Sequence, residues 1–157
     1  MVLTLVACGD DVVPEPKSES AAVTEQDESL TALSWLKQTH AIAPEHWLAS
    51  RAAGHDIDTG DPSVVGVRRV LEVAAMRFRD HPRMIANRAV QLEGMLQEQA
   101  IREQAPYLIA LLSQVPGNTR YVESFSSLTQ QYYNLRIKGL TRSQAVDALR
   151  QQNDGNY

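Results

Sequence analysis

The chain has 157 residues, the length of one domain, and a compact fold of that size buries roughly 68–70% of its unfolded surface without help from a metal or a disulfide. Its one cysteine cannot form an internal disulfide. A formal net charge of −4, with 43% hydrophobic and 22% charged residues, fits a globular protein and argues against nucleic acid as a partner.

The chain starts with an apolar run, Val2 to Ala7, that ends at the lone Cys8. A bilayer needs about 20 apolar residues, so this run is too short to span one. With small Ala7 at its end it has the form of a signal-peptide hydrophobic region. Leu5-Val6-Ala7-Cys8 resembles the lipobox of bacterial lipoproteins. That resemblance implies that Cys8 becomes the lipidated first residue of the mature chain, carrying a diacylglycerol and an amide-linked acyl chain such as palmitate. Each buried methylene contributes about 0.8 kcal/mol, and two or more chains anchor stably where one does not. Gly9, rather than Asp, follows the cysteine, and by the same resemblance this implies an outer-membrane lipoprotein facing the periplasm. One departure stands out: no Lys or Arg precedes the apolar run.

Residues 9–28 carry seven carboxylates (Asp10, Asp11, Glu15, Glu19, Glu25, Asp27 and Glu28) against Lys17, a net of −6 that leaves +2 for the rest. With Pro14, Pro16 and several serines but no aromatic residue, the segment has too little apolar area to order itself. It reads as a disordered acidic tether that would hold a domain roughly 20–25 Å from a membrane.

From there the periodicity is helical. Asp27 or Ser29 would cap a first helix to about Gln38, offering Leu30, Leu33, Trp35 and Leu36 for burial. Pro44 opens a second helix that Gly54 stops, with Trp47 and Leu48 inward. Asp61-Pro62 starts a third to about Arg79, its stripe being Val64, Val67, Leu71, Ala74 and Phe78. Pro82 restarts the pattern, and Ile85, Ala89, Leu92 and Leu96 carry it to about Glu103. Tyr107 to Val115 is apolar on nearly every side and is expected at the centre. After a turn at Pro116-Gly117-Asn118, the stripe Tyr121, Phe125, Leu128, Tyr132 and Leu135 predicts a core-facing helix ended by Gly139. Thr141 and Gln144 have the spacing of a capping box and open a last helix carrying Ala145, Val146 and Leu149.

Few constellations carry chemistry. His55-Asp56-x-Asp58-x-Gly60-Asp61 suggests a calcium loop, but the fifth and twelfth positions counted from Asp56 hold Gly60 and Val67, not ligands. It reads as a polar connection without metal. His40, His46, His55 and His81 show no metal or protease spacing, and no nucleophile or phosphate-loop motif occurs. Arg68, Arg69, Arg77, Arg79, Arg83 and Arg88 gather on the third and fourth helices. They read either as a solvated face laced with Glu72 and Glu93, or as a docking face for an acidic partner, for anionic lipid head groups or for the chain's own acidic tether. The Lys138–Thr141 joint could pass for a helix-turn-helix, but a plain antiparallel hairpin fits an anchored protein better.

The expected organisation is all-α: a signal end at 1–8, a tether at 9–28, and a single irregular bundle of five to six amphipathic helices over 29–150. A frayed tail follows at 151–157. No catalytic residue and no cofactor is expected, and the partners are the membrane, through the lipid, and a protein in the periplasm. The combination of lipobox and small helical domain resembles the pilotins of secretion systems, which implies a non-catalytic binding role. Immunity, inhibitor or conjugative exclusion lipoproteins are the second class, and a cell-wall enzyme the third. Replacing Cys8 with Ser in the full-length gene and fractionating cells tests the anchor: the variant is expected to leave the membrane fraction, and continued sedimentation with membranes would refute Cys8 as the attachment point.

Overall fold

The computed structural model describes residues 28–117 and 121–154. Cys8 and the acidic segment to residue 27 lie outside the described residues, as do 118–120 and 155–157. Six helices follow one another: α1 (Pro44–Ala53), α2 (Pro62–Arg77), α3 (Pro82–Glu98), α4 (Ala105–Ser113), α5 (Phe125–Ile137) and α6 (Arg142–Asp154). The described residues contain no strand, so the all-α expectation holds. None of the described helices is long and apolar enough to cross a membrane.

The helix boundaries follow local chemistry. Pro44, Pro62 and Pro82 each stand in the first turn, where a missing N–H costs nothing. Asp61 accepts from the Ser63 N–H at 2.8 Å, and His81 Nδ1 accepts from the Arg83 N–H. The capping box closes as its spacing predicted: Thr141 Oγ1 accepts from the Gln144 N–H, and Gln144 Oε1 from the Thr141 N–H at 2.9 Å. At the α5 end, Gly139 adopts φ 92°. The Leu140 N–H then reaches the Leu135 carbonyl and the Gly139 N–H that of Arg136, a Schellman closure.

Helix α4 packs against α1, α2 and α3, while α5 rests on α3 and α6 on α5. Leu108, Ile109 and Leu112 of α4 are fully buried, and Val115 nearly so, which places the apolar run near the centre as expected. Tyr107, however, is 42% exposed. The ring of Phe125 meets Phe78 edge-on at 5.1 Å, and Leu128 and Tyr132 of the same stripe are buried.

Five expectations are corrected. Residues 29–42 form no helix but a strap of turns and extended chain. Beyond two single turns, Ala32 N–H to Ser29 O and His40 N–H to Lys37 O, its backbone groups find side-chain partners. Asp56 accepts from Leu30 N–H, Thr31 N–H and Ser29 Oγ, and Asn87 closes a two-way amide bridge with Leu36, at 2.7 Å and 3.0 Å. Leu33 and Leu36 still bury, but Trp35 is 39% exposed. Helix α2 stops at Arg77, because Phe78 turns extended to meet Phe125 and Arg79 N–H donates to the Glu123 carbonyl. Helix α3 stops at Glu98, not Glu103, in a Schellman closure formed by Ile101 N–H to Leu96 O and Ala100 N–H to Gln97 O.

The aromatic stripe loses its first member. Tyr121 is exposed and precedes the helix, whose first N–H groups are capped by Ser124 and by Asp80, the latter accepting from the Phe125 N–H at 2.6 Å. Finally, residues 151–154 are helical rather than frayed, and Asn153 Nδ2 donates to the Pro116 carbonyl at 2.7 Å.

The α3 closure carries strain that can be measured. Ala100 stands at φ 58°, where a Cβ costs about 1–2 kcal/mol, and the position is exposed. Glycine there removes that cost while adding about 0.5–1 kcal/mol of unfolded-state entropy. Ala100→Gly is therefore expected to stabilise by roughly 0.5–1 kcal/mol, raising the thermal midpoint by about 2–4 °C per kcal/mol; a lowered midpoint in calorimetry would refute the strain.

Candidate functional site

The six arginines do not form one face. Arg77 turns inward: its Nη2 meets Glu123 Oε2 at 2.6 Å, its other N–H groups reach the carbonyls of Val115 and Pro116, and its guanidinium lies 4.6 Å from the Phe78 ring centre. Arg83 binds the carbonyls of Lys37 and Ile42, fastening the strap. Arg88 bonds Gln91 and lies 5.7 Å from the centre of the Trp35 ring. Arg68 pairs with Glu45 of α1 at 3.0 Å, not with Glu72. Arg69 lines a groove between α2 and α4. Arg79 has no ion pair among the described residues, although its backbone is tied to Glu123. Two of the six thus hold the fold, and the rest face different surroundings.

The acidic loop is also committed locally. Asp58 accepts from the Gly60 N–H, Asp61 caps α2 and Asp56 holds the strap. Its burial opposes the charge of Asp56, but the bonds from Leu30, Ser29 and Thr31 outweigh it and lower its pKa. Among the described residues no group of three His, Cys, Asp or Glu side chains is placed to hold a metal ion.

Two buried carboxylates, Glu103 and Glu123, were not singled out from the sequence. Glu103, in the α3–α4 connection, accepts from Tyr132 Oη at 2.7 Å through Oε2, and from Arg136 at 2.6 Å and Arg142 at 2.9 Å through Oε1. Burial pushes its pKa up, yet these three donors prevail and hold it below the ordinary value. Burial and the neighbouring Glu103 carboxylate push the Tyr132 phenol well above its usual range. Glu93 behaves oppositely: burial raises it more than the Arg51 charge and the Ala105 N–H lower it. A carboxylate that accepts from two guanidiniums and a phenol, and whose pKa they hold down, is a weak base and serves as a fastener.

The open surface with recognition character lies between α2 and α4. Val65, Val73 and Met76 share one arc of α2, opposite the buried Val64, Val67, Leu71 and Ala74. They are 38%, 51% and 81% exposed. Beside them runs a groove of about 260 Å³ lined by Arg69, Val70, Val73, Ala110, Ser113 and Gln114. Ala110 and Ser113 are small, so a partner backbone can approach α4 closely. The signal for this surface was present as apolar residues on the polar side of α2, spaced 8 and 3 apart.

A family model, MoxZ, matches residues 45–154, from the first turn of α1 to the last residue of α6. The chain belongs to the MoxZ family. No curated protein and no solved structure shows a significant match. The segment shared with MoxZ contains the groove, Glu103 and Glu123, whereas the strap with Trp35 precedes it.

Glu103 gives a sign-definite pH dependence. Its folded pKa lies below its unfolded value of 4.5, so its contribution is complete above that value and is lost as the pH falls through the folded one. Glu103→Gln is expected to lower the denaturant midpoint strongly at pH 7 and much less in acid, since breaking a buried pair costs about 3–5 kcal/mol. An equal loss at both pH values would exclude the charge as the cause.

Proposed function

We propose that this MoxZ-family chain is a non-catalytic binding protein, held at a membrane through Cys8 on the periplasmic side, that receives an amphipathic helix of a partner in the α2–α4 groove. The supporting observation is the apolar arc Val65–Val73–Met76 beside that groove. Isolated exposed apolar residues are ordinary, but an aligned set beside an apolar trough favours helix-in-groove recognition. Val70, Val73 and Ala110 would take the partner's apolar face, and Arg69 at the rim would meet an acidic flank. The buried carboxylates support the same reading, because both are occupied by guanidinium donors. The outer-membrane location rests on the lipobox resemblance alone, and the pilotin-like role on that and the small helical domain.

A photo-crosslinking residue at Val73 tests the reading in intact cells. The expected outcome is one discrete protein adduct, lost when Met76→Asp is added in the same chain while the thermal midpoint stays level. A crosslinker at the exposed Ile137 serves as the off-site comparison. Adducts that are identical from both positions, or absent from Val73, would sink the groove as the binding surface.

A further inference from the structure

A second recessed surface lies away from the α2–α4 groove and outside the proposed helix site. Where the strap crosses the start of α3, Trp35, Leu36, Gln38, His81, Arg83, Met84 and Asn87 line a cleft of about 440 Å³. Trp35 and Met84, at its mouth, are 39% and 37% exposed. Among the described residues no carboxylate pairs with its one arginine, Arg83, which is bonded to two carbonyl oxygens, or with Arg88, which stands next to the cleft over the Trp35 ring and is bonded to a neutral Gln91. Carbonyl and amide acceptors satisfy hydrogen bonds but leave the charge in place. Among the described residues no carboxylate lines the cleft, and the nearby Asp80 is engaged in accepting from the first N–H of α5. The cleft therefore asks for an occupant that joins a bulky apolar element to carboxylates.

The chain itself contains such a segment. Residues 10–16 read Asp-Asp-Val-Val-Pro-Glu-Pro: two valines and two prolines bracketed by three carboxylates. Proline-rich stretches dock on exposed aromatic rings because their extended conformation is preset and little entropy is lost. We infer that residues 10–16 dock in cis in this cleft, Val13 and Pro14 against Trp35 and Met84, with Asp10, Asp11 and Glu15 facing Arg83 and Arg88. Reach permits it. Ser29 and Trp35 are six peptide units apart, at most about 22 Å, and the thirteen units from Pro16 to Ser29 span about 20 Å as a flexible chain. A linker this short presents its end at an effective concentration in the millimolar range, so weak contacts suffice. The acidic segment then works as a folded-back arm over residues 10–16 and as a linker only beyond them.

The test uses the full chain and alters only the arm, so the fold of the domain is not at stake. Trp47 is fully buried, which leaves Trp35 as the tryptophan that acrylamide reaches. The native chain is expected to show Trp35 shielded, and the triple substitution Asp10→Asn, Asp11→Asn, Glu15→Gln to abolish that shielding. Raising the salt to about 0.5 M, where screening is nearly complete beyond a few ångströms, is expected to unshield the native chain and leave the substituted one unchanged. In a Cys8→Ser chain, a nitroxide on Gly9→Cys, then the sole thiol, is expected to broaden the Trp35 indole N–H resonance when the arm's carboxylates are intact and not when they are substituted. Equal quenching of native and substituted chains overturns the inference and leaves the cleft to an external acidic segment. Shielding that grows with protein concentration also overturns it, by assigning the cleft to the arm of a second copy.

Discussion

The carboxylate of Glu103 is the constraint around which the C-terminal half of the molecule is arranged. It is almost wholly removed from water, with 1% of its side chain exposed, and a buried charge is tolerable only when paired and hydrogen-bonded. Its three partners come from two helices: Tyr132 and Arg136 one turn apart on α5, and Arg142 at the start of α6. Meeting that demand fixes the rotation of α5, so that Phe125, Leu128 and Tyr132 face inward together. It also fixes where α6 departs, and the Arg142 guanidinium then covers the face of Tyr107 at 4.7 Å. Glu123 and Arg77 repeat the device at the other end, locking the approach to α5 onto the end of α2.

The family match and the chemistry divide the chain in the same place. The segment that belongs to MoxZ begins with α1 and holds both carboxylate fasteners and the apolar groove. The strap, with Trp35 and the basic cleft, is laid across this segment rather than built into it. Binding through the groove and occupancy of the cleft by the acidic arm would thus use two surfaces that differ in chemistry: one mainly apolar and weakly dependent on salt, the other charged and strongly dependent on it.

Much of the fold was legible because its signals are local. Proline in a first helical turn, Asp61 before Pro62, the Thr141–Gln144 box and Gly54 and Gly139 after helix ends all depend on neighbours within a few residues. The errors occurred where distant groups intervened. Leu30, Leu33 and Leu36 have helical spacing, yet Asp56 and Asn87, brought from elsewhere, offer the strap's backbone better partners than its own turn would. Tyr121 keeps the 4-3 rhythm of α5, but Glu123 is held extended by Arg77 and Arg79, so the helix cannot start before Phe125. The arginines were legible as a charge cluster but not by role, since sequence distance conceals that Arg77 reaches Glu123 and Arg83 reaches carbonyls of the strap. The groove left a trace in the misplaced apolar residues of α2, whereas Glu103 looked like any surface glutamate.

The strap has a mechanical consequence. It is held by separate clasps in series: Asp56 at residues 29–31, Trp47 and Arg51 on the Leu33 carbonyl, Asn87 on Leu36, and Arg83 on the carbonyls of Lys37 and Ile42. Tension applied from the N-terminal side would load these clasps one after another and not together. Bonds loaded in sequence yield at the strength of the weakest remaining one, whereas helices sheared in parallel must all give way at once. Under a pull through the acidic arm, the exposed Asp56 clasp would open first and the strap would lengthen step by step, while the MoxZ segment from α1 onward stayed intact. The chain would carry a built-in strain absorber between its N-terminal segment and the MoxZ segment.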